Sequence, residues 1–182
     1  HKITDQKHPL TWEINTNFDA PHSRYNDVSR AQMEKVGIKV LAESDKAGVH
    51  LAVSPDQFRV VYFQGHPEYN AVSLLKEYKR EVLRFIENIR ETEPQLPHNY
   101  FSAEAEKIIS QYMSSVKLSK GSGNKIPTFP EAELESLVHN TWGDTGKAIV
   151  NNWLGLVYQL TNLDRQLQFM DGIDPDDPLG LK

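Results

Sequence analysis

The chain has 182 residues, a formal net charge of −5 at pH 7 and 38% hydrophobic residues, values that suit one globular domain with a buried core. The acidic balance disfavours nucleic acid or an anionic membrane as a partner, and no apolar run approaches the roughly 20 residues that a membrane span needs. Cysteine is absent, which excludes disulfides, thiolate metal sites and a cysteine nucleophile within these residues and favours a cytoplasmic location.

The first 30 residues carry turn signals rather than a periodic pattern. Within them, His22, Ser23, Arg24 and Tyr25 follow Pro21 directly, so four hydrogen-bonding side chains stand next to a rigid proline. Such a run is consistent with the lining of a polar pocket or with an ordinary exposed loop.

Three short strands are predicted next, over residues 38–42, 49–53 and 58–63, with hairpin-sized turns between them. Apolar and polar residues alternate in the first two strands, which predicts a sheet with one face toward solvent. The third strand becomes continuously apolar from Val60 and is therefore predicted to be the most buried of the three.

The third strand ends at Gly65, and His66 and Glu68 follow with Pro67 between them. Gly65 permits backbone angles closed to other residues, and Pro67 fixes φ between the two polar side chains. A helical pattern begins directly afterwards, so the pair lies at a strand-to-helix turn, where α/β enzymes commonly place catalytic groups. A histidine held by a carboxylate is the general-base part of a nucleophilic triad. The alternative is a solvated turn, because His-x-Glu alone is not specific.

Apolar residues spaced by three and four predict a helix from Val72 to about Arg90. Glu77 and Arg80 fall on the face opposite the apolar stripe, where the residues alone indicate a solvated i,i+3 pair. Further helices are predicted over residues 103–116, in a short segment up to 138, and over 144–160, with a flexible link at 120–125 and an acidic tail at the end.

Strands that lead into one long helix and then mostly helix, without a βαβ repeat, predict an α/β fold. The elements are typical of the later part of such a domain. Because the first residue is His1 rather than an initiator methionine, we expect a piece of a longer protein or a processed product.

Several motifs taken together resemble the homoserine O-succinyltransferase family, in an order and spacing that run to about residue 164. They are Ala20–Tyr25, Gly65–Tyr69, Glu77-Tyr78 with Arg80, Asn99–Phe101, Asn140–Trp142, and Asn152–Leu154 with Val157–Gln159. The resemblance implies the C-terminal part of a class I glutamine amidotransferase-like (flavodoxin-like) three-layer α/β domain over residues 1–91. A helical C-terminal extension would cover residues 92–165, and an acidic tail residues 166–182.

The resemblance also implies an activity, the transfer of an acyl group from an acyl-CoA to the hydroxyl of L-homoserine in methionine biosynthesis. The family uses a Cys-His-Glu triad, in which His66 would be the general base and Glu68 the carboxylate that orients it. Ser23 is similar to a serine that contacts the substrate near the acyl group. Arg80 is similar to the guanidinium that binds the homoserine carboxylate, and Glu77 to a carboxylate near the amino group.

No metal and no bound cofactor are implied, and succinyl-CoA or acetyl-CoA would serve as co-substrate. The partners implied are L-homoserine, the N-terminal half of the enzyme with the cysteine nucleophile and a substrate-binding lysine, and a second copy of the chain in a homodimer. Since the nucleophile lies outside these 182 residues, we expect them to be inactive alone. The family commonly has aspartate where this chain has Asn70.

Two other functions stay open at this point. A catalytically inactive fragment or a binding subunit is consistent with the absence of cysteine, because His66 and Glu68 then have no nucleophile to activate. A glutamine amidotransferase would share the His-Pro-Glu motif, but Ser23, Arg80 and the tryptophan blocks near the C-terminus argue against it.

Overall fold

The computed structural model describes all 182 residues. They form two compact units, one of residues 1–68 with 141–182 and the other of residues 69–140. The chain combines a four-stranded antiparallel sheet with five α-helices, which confirms the α/β class. None of the helices combines the length and the hydrophobicity needed to cross a membrane.

The sheet belongs to the first unit and has the strand order β1-β2-β3-β4. Its strands are β1 (Lys2–Ile3), β2 (Lys39–Ser44), β3 (Gly48–Val53) and β4 (Val61–Phe63). The three predicted strands are confirmed, while the two-residue strand β1 is too short to give a periodic pattern. The connection from β2 to β3 is short, as predicted, whereas the connection from β3 to β4 covers residues 54–60 and is longer than predicted. Consecutive strands pair as neighbours.

Burial in the sheet differs from both sequence predictions. Every residue from Val49 to Val53 in β3 is buried, whereas β4 is only half-buried. Strands β2 and β3 contribute to two separate clusters of buried side chains, one joined by Ile149 of helix α5 (Gly143–Leu160) and the other by Met33 of helix α1 (Arg30–Lys35). The prediction that one face of these strands is exposed to solvent is therefore wrong. Side chains of two helices cover the sheet, and the alternation of residues within each strand does not reveal them. The third predicted strand is likewise not the most buried one.

The second unit is helical, with α2 (Ser73–Ile86), α3 (Ala103–Ser122) and α4 (Glu131–Glu135). The predicted stripe on α2 is confirmed in its central part, since Leu75, Tyr78 and Val82 are buried. These three pack in one cluster with side chains of α3 and α4 and of the adjoining loops. That cluster comprises Leu75, Tyr78, Val82, Phe101, Ala105, Ile109, Tyr112, Met113, Val116, Phe129, Leu134 and Val138.

Helix α3 is longer than predicted and includes the first part of the expected flexible link. At its start the Ser102 side chain accepts the main-chain N–H of Ala105, so Ser102 is the N-cap of this helix. At its end Gly123 adopts φ of 69°, the left-handed conformation that favours glycine after a helix. The helix predicted over residues 144–160 is confirmed as α5.

A buried histidine in the N-terminal segment makes folding stability depend on pH. His8 is fully buried, its Nδ1 accepts the main-chain N–H of Leu10 at 3.2 Å, and its Nε2 has no hydrogen-bond partner. Burial, reinforced by the nearby Lys39 ammonium, lowers the pKa of His8 from 6.5 to about 4, against the opposing influence of Asp5.

Acidification is expected to destabilise the first unit through His8. The unfolded chain takes up a proton at this residue near pH 6.5, whereas the folded chain does so only near pH 4. The stabilisation is therefore complete above pH 6.5 and is lost as the pH falls toward 4, by up to about 3 kcal/mol. Urea denaturation across this range measures the loss. The variant His8→Asn, which keeps an acceptor for Leu10, should show a smaller loss, and an equal loss would contradict this origin.

Candidate active site

The turn after β4 holds the histidine and the carboxylate singled out in the sequence. Main-chain hydrogen bonds fix its start, since the N–H of Gln64 donates to the His50 carbonyl at 2.9 Å and that of His66 to the Pro21 carbonyl at 2.8 Å. The turn is thereby tied both to strand β3 and to the loop that carries Ser23. The position of His66 is thus set by main-chain contacts on both sides.

Gly65 is required for a different reason from the one expected. Its φ lies outside the left-handed region, so the expectation of unusual backbone angles is wrong. A Cβ at this position would lie 2.6 Å from His50 Nδ1, 2.8 Å from His22 Nε2 and 2.8 Å from the Pro21 carbonyl. Only glycine leaves room for these neighbours, which pack directly beneath the turn.

His66 and Glu68 form the predicted hydrogen bond. His66 Nδ1 lies 2.8 Å from Glu68 Oε1, and His66 Nε2 lies 3.2 Å from the main-chain oxygen of Ser23. The side chains are 31% and 66% exposed, so the pair lies at the surface of its unit. Donation of the Nδ1 proton to Glu68 leaves the lone pair on Nε2, as a general base requires, and in this tautomer the Ser23 carbonyl is a neighbour of Nε2 rather than a hydrogen-bond partner.

The loop that contains Ser23 lies beside His66. The main-chain carbonyl of Ser23 makes the contact, while the side chains of His22, Ser23 and Arg24 are half-buried and Tyr25 is almost fully exposed. Arg24 anchors the loop, since its guanidinium donates to Asp27 at 2.7 Å and to the Ala47 carbonyl at 2.5 Å. Of these four residues, only Tyr25 is as exposed as an ordinary surface loop would predict, and the other three are half-buried.

The turn also rests on the first part of helix α5, a contact that the sequence analysis did not find. Gly146 of α5 is buried, and a Cβ there would lie 2.9 Å from Pro67 Cβ and 3.2 Å from the Pro67 carbonyl oxygen. Pro67 lies between His66 and Glu68 in the chain. Its close contact with Gly146 of α5 therefore helps to hold both residues in position. A glycine inside a predicted helix was the available signal.

Substituting Gly146 is expected to strain this contact. Gly146→Ala should lower the free energy of unfolding by about 1–3 kcal/mol, because the added methyl group overlaps Pro67. The matched control is Gly155→Ala in the same helix, where an added Cβ has no neighbour within 4 Å. That substitution should instead stabilise the protein by about 0.5–1 kcal/mol through helix propensity. Urea denaturation compares the two, and equal effects would show that the Pro67 contact is unimportant.

The other two predicted site residues lie on α2, in the second unit. Glu77 accepts a hydrogen bond from the Tyr69 hydroxyl at 2.8 Å, and Arg80 Nε donates to Glu81 at 3.2 Å. Each residue thus engages another partner, and the solvated Glu77–Arg80 pair is wrong. The Arg80 side chain remains 59% exposed, which leaves much of its guanidinium available to a ligand.

Glu81 also binds two further arginines. Its carboxylate lies 3.2 Å from Arg90 Nη1 and 3.7 Å from Arg84 Nη1, and its side chain is only 18% exposed. One carboxylate therefore faces three guanidinium groups, so this part of α2 is locally cationic and suited to an anionic group.

Comparisons with known proteins give one consistent result. A family model described as homoserine O-succinyltransferase matches residues 1–163. Among curated relatives, all of this chain aligns with the homoserine O-succinyltransferase of Methylobacter tundripaludum at 56% identity and with that of Methylococcus capsulatus at 53%, and covers 51% of each. The protein of that name from Thiothrix nivea is 52% identical over 182 residues, again 51% of its length. The chain thus spans about half the length of the curated relatives it matches.

Proposed function

The chain belongs to the homoserine O-succinyltransferase family, and we propose that it supplies the general base and the homoserine-binding residues of a homoserine O-acyltransferase. The proposed reaction transfers the succinyl group of succinyl-CoA to the hydroxyl of L-homoserine, a step of methionine biosynthesis. The observation that carries the proposal is the hydrogen bond of 2.8 Å between His66 Nδ1 and Glu68, on a turn fixed beside the Ser23 loop.

The proposed chemistry has two steps. A cysteine thiolate from outside these 182 residues attacks the thioester carbonyl of the acyl-CoA, the CoA thiolate leaves, and the acyl group becomes a thioester on the enzyme. His66 Nε2 then takes the proton of the homoserine hydroxyl group while the hydroxyl oxygen attacks the thioester carbonyl on the enzyme. The cysteine thiolate leaves, O-acylhomoserine is released, and His66 gives its proton to solvent, from which the CoA thiolate is protonated. Acyl-CoA is the only co-substrate that these steps need.

Glu68 and Ser23 act in this scheme through the position of His66. Glu68 accepts the Nδ1 proton and stabilises the imidazolium that forms after proton transfer. The Ser23 carbonyl lies 3.2 Å from Nε2, so the Ser23 loop borders the atom that the incoming hydroxyl must reach. We place Ser23 at the acyl side of the site on this ground.

Arg80 and Glu77 are proposed to bind the amino acid part of homoserine. A guanidinium is a planar fork of donors that matches a carboxylate, and Arg80 is exposed while its Nε is held by Glu81. Glu77 is held by Tyr69 and offers a carboxylate oxygen for the substrate ammonium group. For the unit that contains the sheet, we propose the class I glutamine amidotransferase-like fold that the family resemblance implies.

An acyl-transfer assay tests the proposal. The full-length protein is mixed with L-homoserine and either succinyl-CoA or acetyl-CoA, and thiol release is followed together with the mass of the amino acid product. We expect homoserine-dependent thiol release and O-succinylhomoserine. Absence of release with both esters would reject the proposal, and glutaminase activity in its place would favour the amidotransferase alternative.

The 182 residues alone are expected to give no turnover. They contain no cysteine, so the base and its carboxylate have no nucleophile to activate. The same assay on the isolated chain measures this, with the full-length protein as the positive control. Turnover by the isolated chain would contradict a cysteine nucleophile outside it.

A further inference from the structure

Three histidines that are distant in sequence meet beneath the turn that carries His66. One ring nitrogen from each of His1, His22 and His50 lies within 4.8 Å of the others, and the two Nε2 atoms of His1 and His22 are 2.9 Å apart. His50 is buried, and the other two are half-buried, so the cluster borders solvent on one side. No sequence spacing indicates a metal site here, because the residues come from three separate segments.

Two further observations concern the space between these rings. His50 Nδ1 is buried and has no hydrogen-bond partner, which is costly for a polar atom. A Cβ on Gly65 would come within 2.6 Å of His50 Nδ1 and 2.8 Å of His22 Nε2, so both nitrogens pack closely against this glycine. A buried ring nitrogen without a hydrogen-bond partner and three ring nitrogens close to one another are features of a metal site.

We propose that His1, His22 and His50 bind a divalent zinc ion. Neutral imidazole is a preferred zinc ligand, and three histidines with an open fourth position form a known type of zinc site. Two nitrogens on a tetrahedral zinc are about 3.3 Å apart, so the pair at 2.9 Å would separate slightly and nitrogens up to 4.8 Å apart would move closer on binding. The ion would join the N-terminal segment, the Ser23 loop and strand β3. This proposal does not depend on the acyl-transfer reaction.

The positive charge of Arg24 lies next to the cluster, and the binding of a cation must change its contact with His22. The Arg24 guanidinium contacts His22 Nδ1. Zinc on His22 Nε2 requires a proton on Nδ1, so Arg24 must give up this contact while it keeps Asp27 and the Ala47 carbonyl.

Zinc binding to the full-length protein tests the proposal. The protein is loaded with Zn²⁺, dialysed and analysed by elemental mass spectrometry, and Co²⁺ is used in parallel because its absorption spectrum reports nitrogen ligands. His22→Ala and His1→Ala should each lose one equivalent of zinc and weaken binding by at least about 100-fold, since even outer partners of a metal site contribute 10–100-fold. His98→Ala, which removes an exposed histidine of the second unit, is the control and should retain the metal.

Each outcome decides for or against the site. Because His1 and His22 are only half-buried, these variants are expected to fold, and circular dichroism verifies this. Arg24→Gln removes the opposing charge and offers an amide oxygen to Nδ1, so it should bind Zn²⁺ at least as tightly as the parent protein. Zinc content equal in the parent, His1→Ala and His22→Ala proteins would overturn the proposal. A loss in Arg24→Gln as large as in His22→Ala would also overturn it.

Discussion

Replacing His66 with glutamine is expected to lower kcat for acyl transfer by about 10³-fold, within the range that a general base contributes. Glutamine keeps a polar side chain of similar reach, but it cannot take the hydroxyl proton of homoserine. The turn itself should persist, because main-chain hydrogen bonds from Gln64 and His66 fix it to His50 and Pro21. Steady-state kinetics on the full-length protein, with product detected by mass spectrometry, measure the change.

The control for this substitution is His98→Gln, which changes an exposed histidine of the second unit. It should leave kcat unchanged. A reduction of less than about tenfold for His66→Gln would contradict the role of general base, because loss of that role costs at least 10²-fold.

Replacing Arg80 with methionine is expected to raise KM for homoserine by about 10–150-fold, the loss of hydrogen bonds between charged groups. KM for the acyl-CoA should change little, because the proposed contact is with the amino acid carboxylate. Methionine keeps much of the length of the side chain and removes the guanidinium. Initial-rate measurements with each substrate varied in turn separate the two constants.

Arg84 offers a matched control one turn further along α2. It also contacts Glu81, at 3.7 Å, and its side chain is 47% exposed, so Arg84→Met removes an equal charge from the same part of the helix. We expect this variant to raise KM for homoserine much less than Arg80→Met. Equal effects would indicate a general electrostatic contribution of the arginines rather than a specific carboxylate contact. Arg80→Lys should restore little, since a lysine lacks the planar fork.

Local sequence signals predicted the elements around the site well. The turns that bound β2, β3 and β4 lie next to strand-forming residues, and the periodicity on α2 and α5 is strong enough to define both helices. The contact between His66 and Glu68 also follows from local sequence, because two residues separated by one proline in a tight turn have few relative positions. The family was identified from the sequence motifs, because hydrophobic periodicity indicates secondary structure but not homology.

Contacts between distant segments were not predictable in the same way. Burial of β2 and β3 depends on Ile149 of α5, about 100 residues beyond them in the chain, so alternation within the strands misjudged their exposure. The needs for Gly65 and Gly146 arise from His50 and Pro67, neighbours that only the folded chain brings near. The histidine cluster beneath the turn likewise joins three segments without any local spacing rule.

The central claim is that His66 acts as the base that activates the homoserine hydroxyl for attack on an acyl group bound covalently to the enzyme. Intact-protein mass spectrometry of the full-length protein tests it most directly, before and after homoserine is added to protein that has reacted with succinyl-CoA. We predict an added mass of one succinyl group that disappears on addition of homoserine in the parent protein and persists much longer in His66→Gln. An adduct that never forms, or one that disappears equally fast in both proteins, would contradict the claim.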